Sequence, residues 1–140
     1  HISRKHDEYT IVTKCEELIL VRMDVQLIIQ VLVNLIDNAI KYTPKGSKIC
    51  IRGMKCNGKA QICVEDNGPG IADEMKPYIF EMFYTGKSTI ADSQRSLGLG
   101  LSLCQSIIEA HDGRLLLTDN TPRGCIFTFT LPLSEVTLNE

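Results

Sequence analysis

The chain has 140 residues, a formal net charge of −2 and a pI of about 5.9, so no global basic field points to nucleic acid. Hydrophobic residues make up 44% and charged residues 23%, which is typical of one globular domain over 1–140, with residues 1–8 frayed or foreign to the natural chain. No apolar run reaches the roughly 18 residues of a membrane span. The six cysteines include no Cys-x-x-Cys pair, which favours buried thiols over a metal site.

The N-terminal part of the chain predicts two short strands and a long helix. Apolar and β-branched residues indicate strands over Tyr9–Lys14 and Leu18–Arg22. Asp24 is typical of a helix N-cap, and the pattern is helical from Val25 to Thr43, where Pro44 ends it.

This helix carries two stripes at intervals of three and four residues. The apolar stripe predicts a core face: Ile28, Leu32, Leu35, Ile36 and Ala39. The polar stripe spans about 100° of the helical wheel: Gln30, Asn34, Asp37, Asn38 and Lys41. Carboxamide oxygens suit Mg²⁺ and a lysine suits phosphate, whereas a plain solvated face is the alternative. Because most other positions are apolar, we expect the polar stripe to face a cavity.

A hairpin is predicted next, over Ser47–Cys56 and Lys59–Asp66, because Asn57-Gly58 between alternating apolar runs is typical of a type I′ turn. Its second strand delivers the carboxylate of Asp66 to a turn, Asn67-Gly68-Pro69-Gly70-Ile71. A carboxylate there can accept a hydrogen bond from an exocyclic amine, and glycines let main chain approach a flat ligand closely. A simple strand-to-helix turn is the alternative for this stretch alone.

The remaining segments predict a lid and a second helix. Asp73–Phe83 is short and helical or irregular, and the small polar residues of Thr85–Ser96 are typical of a mobile lid. A helix is expected from Gly98 to about His111, with Gly113 as its C′ cap, and glycines at a helix start favour phosphate binding. Strands are expected over 114–118 and 126–131.

Five motifs occur in the order found in the nucleotide-binding domain of sensor histidine kinases, which this chain resembles from about Asp24 to Pro132. Residues 34–43 resemble the N box, 66–71 the G1 box, 79–83 the F box, 97–102 the G2 box, and 124–127 the last glycine motif. This domain belongs to the superfamily of gyrase, Hsp90-type chaperones, histidine kinases and MutL. Within the family, the sequences of the N box and of the final helix are most similar to those of potassium-responsive, Kdp-type sensor kinases.

The resemblance implies an α+β fold, a two-layer sandwich of the Bergerat type with a mixed, mostly antiparallel sheet packed on helices. It implies ATP and Mg²⁺ as cofactors and phosphoryl transfer as the chemistry. Asp66 would accept from the adenine amino group, Gly70 would approach the base, and Asn34 with Asn38 would hold Mg²⁺. The other positions that the resemblance assigns to nucleotide binding or catalysis are Lys41, Tyr42, Gly68, Ile71, Phe80, Gly98, Leu99, Gly100 and Leu101.

The family's phosphate acceptor is a histidine on a separate dimerisation domain, and no histidine here lies in such a helical context. We therefore expect a monomeric fragment of a larger kinase that binds ATP but cannot phosphorylate itself, with a response regulator as an indirect partner. The resemblance implies a cytoplasmic domain of a membrane-anchored protein. Two departures are Ser96, where a glycine is usual, and Cys125, where a hydroxyl residue is common.

Three alternatives share some of these features. An ATPase or chaperone-type clamp of the same fold would need a glutamate base where this chain has Asn34. A protein-serine kinase would use the same boxes, although the F box and the Lys41-Tyr42 pair favour the histidine kinase. A non-catalytic interaction module is disfavoured because Asp66 and Gly68 are intact.

Overall fold

One sheet of five strands runs through the part of the chain that the structure describes, residues 9–16, 18–81 and 99–134. In this computed structural model the strands are β1 Thr10–Cys15, β2 Lys48–Cys56, β3 Lys59–Asp66, β4 Leu115–Asp119 and β5 Cys125–Pro132. Their order across the sheet is β1-β2-β3-β5-β4. Only the β1–β2 pair is parallel. The predicted mixed, mostly antiparallel sheet is therefore confirmed.

Helix α1, Val25–Tyr42, crosses over between the two parallel strands. It begins as predicted, because Oδ1 of Asp24 accepts a hydrogen bond from the main-chain N–H of Leu27 at 3.1 Å. It ends one residue earlier than predicted. Thr43 is extended, with φ −122° and ψ 153°, because a residue that precedes a proline is driven out of the helical region.

The β2–β3 hairpin confirms the predicted turn. Asn57 and Gly58 both have positive φ, 53° and 77°, as a type I′ turn requires. The pairing runs without a break from Cys56–Lys59 to Ile49–Asp66. Asp66 is thereby fixed at the last rung of the ladder, at the end of the central strand β3 rather than on a free loop.

Helix α2, Leu99–Ala110, packs beside α1 on one face of the sheet. The two helices are antiparallel: the main-chain N–H of Asp24 donates to Nε2 of His111 at 3.0 Å, and Asn34 lies near Gly100. The core between helices and sheet confirms the two-layer sandwich. Its largest fully buried side chains are Phe129, Leu35, Ile49, Ile108, Leu131, Val31, Val64 and Cys104. No described helix combines the length and apolar character needed to cross a membrane.

Two local predictions were wrong. Residues 18–22 form no strand, and only Val21 makes an isolated bridge to Leu133. At the end of α2 the left-handed residue is Asp112, with φ 63°, and not Gly113. The N–H of Gly113 bonds to the carbonyl of Ile108 at 2.9 Å, as the second residue of a Schellman cap does. Gly113 is needed for space, since a Cβ there would overlap the carbonyl oxygen of Thr130.

The hydroxyl of Tyr9 joins the start of the described chain to the end of α1. It lies 3.0 Å from the carbonyl oxygens of both Ile40 and Thr43. These carbonyls belong to the last turn and its cap, where the helix itself offers no N–H partner. Tyr9 thus replaces part of a missing C-cap.

Candidate functional site

A cavity of about 290 Å³ lies between the C-terminal half of α1, the loop after β3 and the start of β5. Its lining is mainly apolar with a few polar groups, as is usual for small-molecule sites. The lining residues are Asn38, Ala39, Tyr42, Thr43, Asp66, Pro69, Gly70, Ile71, Ala72, Met75, Ile79, Cys125 and Phe127.

Asp66 is the acidic residue in this lining, and it is 7% exposed. Its Oδ1 accepts from the main-chain N–H of Gly68 at 2.9 Å and of Cys125 at 3.2 Å. No hydrogen bond reaches Oδ2 from the residues that the structure describes. The carboxylate is therefore oriented by the main chain on one side and keeps one strong acceptor for a ligand.

Burial raises the pKa of the Asp66 carboxyl above its ordinary value, although the two main-chain donors act in the opposite direction. Burial of the Cys125 thiol, together with the negative charges of Asp66 and Asp119, raises the pKa of that thiol to about 11. Cys125 is therefore a neutral thiol at neutral pH. A donor arriving from a ligand would find the strongest acceptor at Asp66.

Three glycines allow the loop to close around this carboxylate. A Cβ on Gly68 would overlap the side chain of Thr43 at the end of α1. A Cβ on Gly124 would stand 2.8 Å from the carbonyl carbon of Asp66 and would overlap its oxygen. Gly70 has φ 84° and lines the cavity. Glycine is thus required where the loop meets α1 and where it meets β5.

Hydrogen bonds from two directions hold the loop after β3. Oδ1 of Asn67 accepts from the main-chain N–H of Lys48 at 2.8 Å. From the β4–β5 turn, Nδ2 of Asn120 donates to the carbonyl of Asp66 at 2.8 Å and Nε of Arg123 donates to the carbonyl of Asn67 at 3.2 Å. The loop is therefore positioned by both neighbouring strands before any ligand arrives.

A 3₁₀ helix, Asp73–Tyr78, forms the next wall. Met75 and Ile79, four residues apart, line the cavity. The ring of Phe80 meets that of Phe127 edge to face, with centroids 6.1 Å apart. Phe80 therefore supports the wall through its contact with Phe127.

The residues of the predicted polar stripe of α1 lie in different surroundings in the structure. Asn38 lines the cavity, as do Tyr42 and Thr43 further along the helix. The ammonium of Lys41 lies 5.4 Å from the centroid of the Tyr42 ring. Gln30, at the other end of the stripe, is exposed. Only the C-terminal part of the stripe therefore reaches the cavity.

Asn34 lies against α2. Its Cγ is 4.0 Å from the position a Cβ on Gly100 would take. Burial raises the pKa of the Cys104 thiol to about 11, and the nearby side chain of Asn34 acts in the opposite direction. The thiol itself donates to the carbonyl of Val31 at 3.8 Å. The polar stripe and the start of α2 are thus neighbours.

The structure brings together five of the residues singled out from the sequence. Those lining the cavity are Asn38, Tyr42, Asp66, Gly70 and Ile71. Asn34, Lys41, Gly68 and Phe80 lie next to lining residues without lining the cavity themselves. Leu99, Gly100 and Leu101 form the first turn of α2, where Leu101 is buried in the core. Gly98, the expected lid over 85–96 and Phe83 lie outside the described residues.

Sequence reasoning missed most of the apolar lining. Cys125 and Phe127 belong to the last glycine motif, and their place in the lining could have been predicted, because they occupy alternate, inward-facing positions of β5. For Met75 and Ile79, the four-residue spacing is a weaker indication that both side chains face the same way. Four of the six cysteines are buried as expected, whereas Cys15 and Cys56 are exposed. Among the residues in view, no three histidine, cysteine, aspartate or glutamate side chains form a group able to hold a metal ion.

Comparison with known proteins gives one consistent result. Residues 23–135 match the family described as "Histidine kinase-, DNA gyrase B-, and HSP90-like ATPase". The sensor protein KdpD of Clostridium acetobutylicum is 44% identical over 117 residues, which is 84% of this chain but only 13% of KdpD. The chain therefore spans a small part of that relative.

Solved structures agree with this match. The nucleotide-free catalytic domain of histidine kinase ThkA is 36% identical, with a TM-score of 0.72 over 89% of this chain and 78% of that one. ThkA in complex with the response regulator TrrA is 34% identical, with a TM-score of 0.71 over 94% of this chain and 36% of that one. The chain belongs to the family of histidine kinase-, DNA gyrase B- and HSP90-like ATPases, and within it to the catalytic domains of histidine kinases.

Proposed function

We propose that this chain binds ATP with Mg²⁺ and donates the γ-phosphoryl group to a histidine on a separate dimerisation domain of the same full-length kinase. One observation carries the proposal: the buried carboxylate of Asp66 stands in the wall of an apolar cavity, with one oxygen held by two main-chain N–H groups. Such a group recognises a ligand that offers an N–H donor from a flat apolar body. Adenine has this character.

Selection of adenine follows from the same geometry. Oδ2 of Asp66 would accept from the exocyclic amine, whereas guanine would present a carbonyl oxygen that the carboxylate repels. Ile71, Met75 and Phe127 offer apolar surface on which the base can lie. The loop is already tied to β2 and to the β4–β5 turn, so little ordering entropy is lost on binding.

The residues present suit a magnesium ion that keeps several waters and phosphate oxygens. Asn38 lines the cavity, and Asn34 lies one turn earlier. The carboxamide oxygen of Asn34 would join that of Asn38 in facing the cation. Lys41 would neutralise phosphate as a point charge, with Tyr42 nearby. When bound, the ion supplies charge neutralisation on the triphosphate.

The start of α2 is the proposed phosphate site. The first main-chain N–H groups of a helix have no partners within the helix, and its dipole adds partial positive charge. Gly98, Leu99, Gly100 and Leu101 would offer these groups. The side chain of Leu101 is buried in the core, so its contribution would be the main-chain N–H.

The acceptor is proposed to lie on another domain, and the one histidine within the described residues, His111, is already engaged. Nε2 of His111 accepts from the N–H of Asp24 at 3.0 Å, which leaves Nδ1 to donate to the carbonyl of Ile107 at 2.8 Å. The complex of ThkA with TrrA supports a response regulator as the later recipient. The 44% identity to the sensor protein KdpD supports a Kdp-type sensor kinase. Anchoring of the full-length protein in the membrane is part of the same proposal.

Calorimetric titration with an unhydrolysable ATP analogue, with and without Mg²⁺, tests the proposal. We expect magnesium-enhanced binding, no binding of the matching GTP analogue, and loss of binding in Asp66→Ala. Absence of binding by the native chain would contradict the proposal and would favour a docking module. Steady ATP hydrolysis by the isolated chain is not expected, because a carboxamide at Asn34 cannot act as a general base.

A further inference from the structure

A single lysine connects three segments around the cavity. The ammonium of Lys76 donates to the carbonyl of Ile71 at 3.1 Å, lies 2.9 Å from Oδ1 of Asp119, and contacts Oδ1 of Asp73. The side chain of Lys76 is 19% exposed, although lysine is among the residues most often found in solvent. Lys76 sits in the 3₁₀ helix between Met75 and Ile79, the two residues which that wall contributes to the cavity.

Each partner of Lys76 either lines the cavity or is a neighbour of a residue that does. Ile71 itself lines the cavity. Asp119, the last residue of β4, is the cross-strand partner of Cys125, which lines the cavity from β5. Lys76 therefore links the 3₁₀ wall to the opposite, β-sheet wall through one ammonium group.

The charges of this cluster reach the cavity. Asp119 raises the pKa of the Cys125 thiol, and Lys76 lowers it. Asp73 and Asp119 in turn raise the pKa of Lys76, so the ammonium is charged throughout the physiological range. Its charge offsets two carboxylates that would otherwise stand beside a site proposed for a polyanion.

We propose that Lys76 is a positioning residue for nucleotide binding, holding the wall of Ile71, Met75 and Ile79 at the distance from β5 that a flat base requires. This inference rests on the proposed function. Loss of the ammonium would let the 3₁₀ helix move away from the sheet and would expose two like charges to each other. The base contacts would weaken even though Lys76 need not touch the ligand.

The test compares the affinities of adenosine and of an unhydrolysable ATP analogue for the native chain and for Lys76→Met, Lys76→Arg, Asp119→Asn and the Lys76→Met/Asp119→Asn double variant. Lys59→Met, at the exposed far end of the hairpin, is the matched control for the loss of one positive charge. Circular dichroism and the melting temperature establish that each variant is folded.

We expect Lys76→Met to weaken binding of both ligands by about fivefold to tenfold, which lies between the values for an exposed ion pair and for a buried hydrogen bond to a charged group. Lys76→Arg should recover most of this loss. Asp119→Asn should also weaken binding, although it makes the chain more positive, and the double variant should resemble Lys76→Met alone because the two residues act as one unit.

Two results would overturn the inference while leaving the proposed function intact. One is unchanged adenosine affinity in Lys76→Met. The other is tighter binding of the ATP analogue by Asp119→Asn together with equal losses of affinity in Lys76→Met and Lys59→Met. That combination would mean that the affinity depends on the net charge of the chain and not on the position of Lys76. If the native chain itself binds neither ligand, the proposed function fails and the inference fails with it.

Discussion

Gly124 lies directly against the carbonyl group of Asp66: a Cβ at Gly124 would stand 2.8 Å from the carbonyl carbon and 3.0 Å from Cα of Asn67. Its φ of 112° is also one that side-chain-bearing residues rarely adopt. Through this contact the β4–β5 turn packs directly against the end of β3 and the loop that follows it, where Asp66 lines the cavity.

Gly124→Ala should therefore be strongly destabilising, by about 3 kcal/mol or more, because backbone must move on both sides of the contact. Gly46→Ala is the matched control, since φ is 87° there and nothing lies within 4 Å of an added Cβ. It should lose only about 1–2 kcal/mol from backbone strain. Urea unfolding of both variants measures the difference, and equal losses would contradict a close contact at Gly124.

Asp66→Asn should weaken binding of the ATP analogue by about tenfold to a hundredfold, since the amide would present a donor to another donor. The same substitution should raise the melting temperature of the ligand-free chain, because it removes a buried charge while an oxygen remains for Gly68 and Cys125. Glu109→Gln, an exposed site on α2, is the matched control. An unchanged affinity in Asp66→Asn would contradict the assigned acceptor.

Acidification should release the nucleotide at a higher pH than an ordinary aspartate would allow. The pKa of Asp66 in the folded chain is raised from 3.8 by burial, so its acceptor disappears as pH falls through that raised value. For stability the sign is reversed: the contribution of Asp66 is fully present below pH 3.8 and is lost as pH rises through the folded pKa. Affinity against pH, with Asp66→Asn reporting the titration of the ligand, measures the first effect.

Cysteine alkylation should separate two classes of thiol. Cys104 and Cys125 are buried and each has a pKa of about 11, so few thiolates exist at pH 8, whereas Cys15 and Cys56 are exposed. Iodoacetamide should modify the exposed pair first, as mapped by mass spectrometry. Saturating ATP analogue should further protect Cys125 but leave Cys56 unchanged. Early modification of Cys125 would mean that the cavity is more open than described.

Asn38→Ala should abolish the increase in affinity that Mg²⁺ gives, because Asn38 lines the cavity. Asn34→Ala should reduce that increase and should also loosen the contact between α1 and α2, since Asn34 lies beside Gly100 at the start of α2. Gln30→Ala, on the exposed part of the same stripe, is the control. Titrations with and without Mg²⁺ measure all three, and an equal magnesium effect in native and Asn38→Ala chains would argue against a metal at this helix.

Local sequence signals predicted the elements that depend on few residues. The Asn57-Gly58 turn, the Asp24 cap and the period of α1 each require only a short stretch, and the structure confirms them. The segment 18–22 looked like a strand, yet its pairing among the described residues is limited to the bridge from Val21 to Leu133, next to the end of β5.

The site was predictable where chemistry is concentrated in a motif and not where it depends on packing. Asp66 and Gly70 are four positions apart in one short turn, so the sequence alone predicts that they lie close together. Lys76 and Asp119 are 43 positions apart by their numbers, and they meet only because the 3₁₀ helix folds back on the end of β4. Likewise Asp112 rather than Gly113 takes the left-handed position, because Gly113 is required for clearance from Thr130.

The bond between Tyr9 and the end of α1 has a mechanical consequence. The carbonyls of Ile40 and Thr43 that receive its hydroxyl lie in the same turn as Ala39, Tyr42 and Thr43 of the cavity lining. A displacement of the chain at Tyr9 would thus be transmitted through the hydroxyl group to the last turn of α1. That turn carries Ala39, Tyr42 and Thr43, which line the proposed nucleotide site. Tyr9→Phe would uncouple that transmission while preserving the ring and its packing.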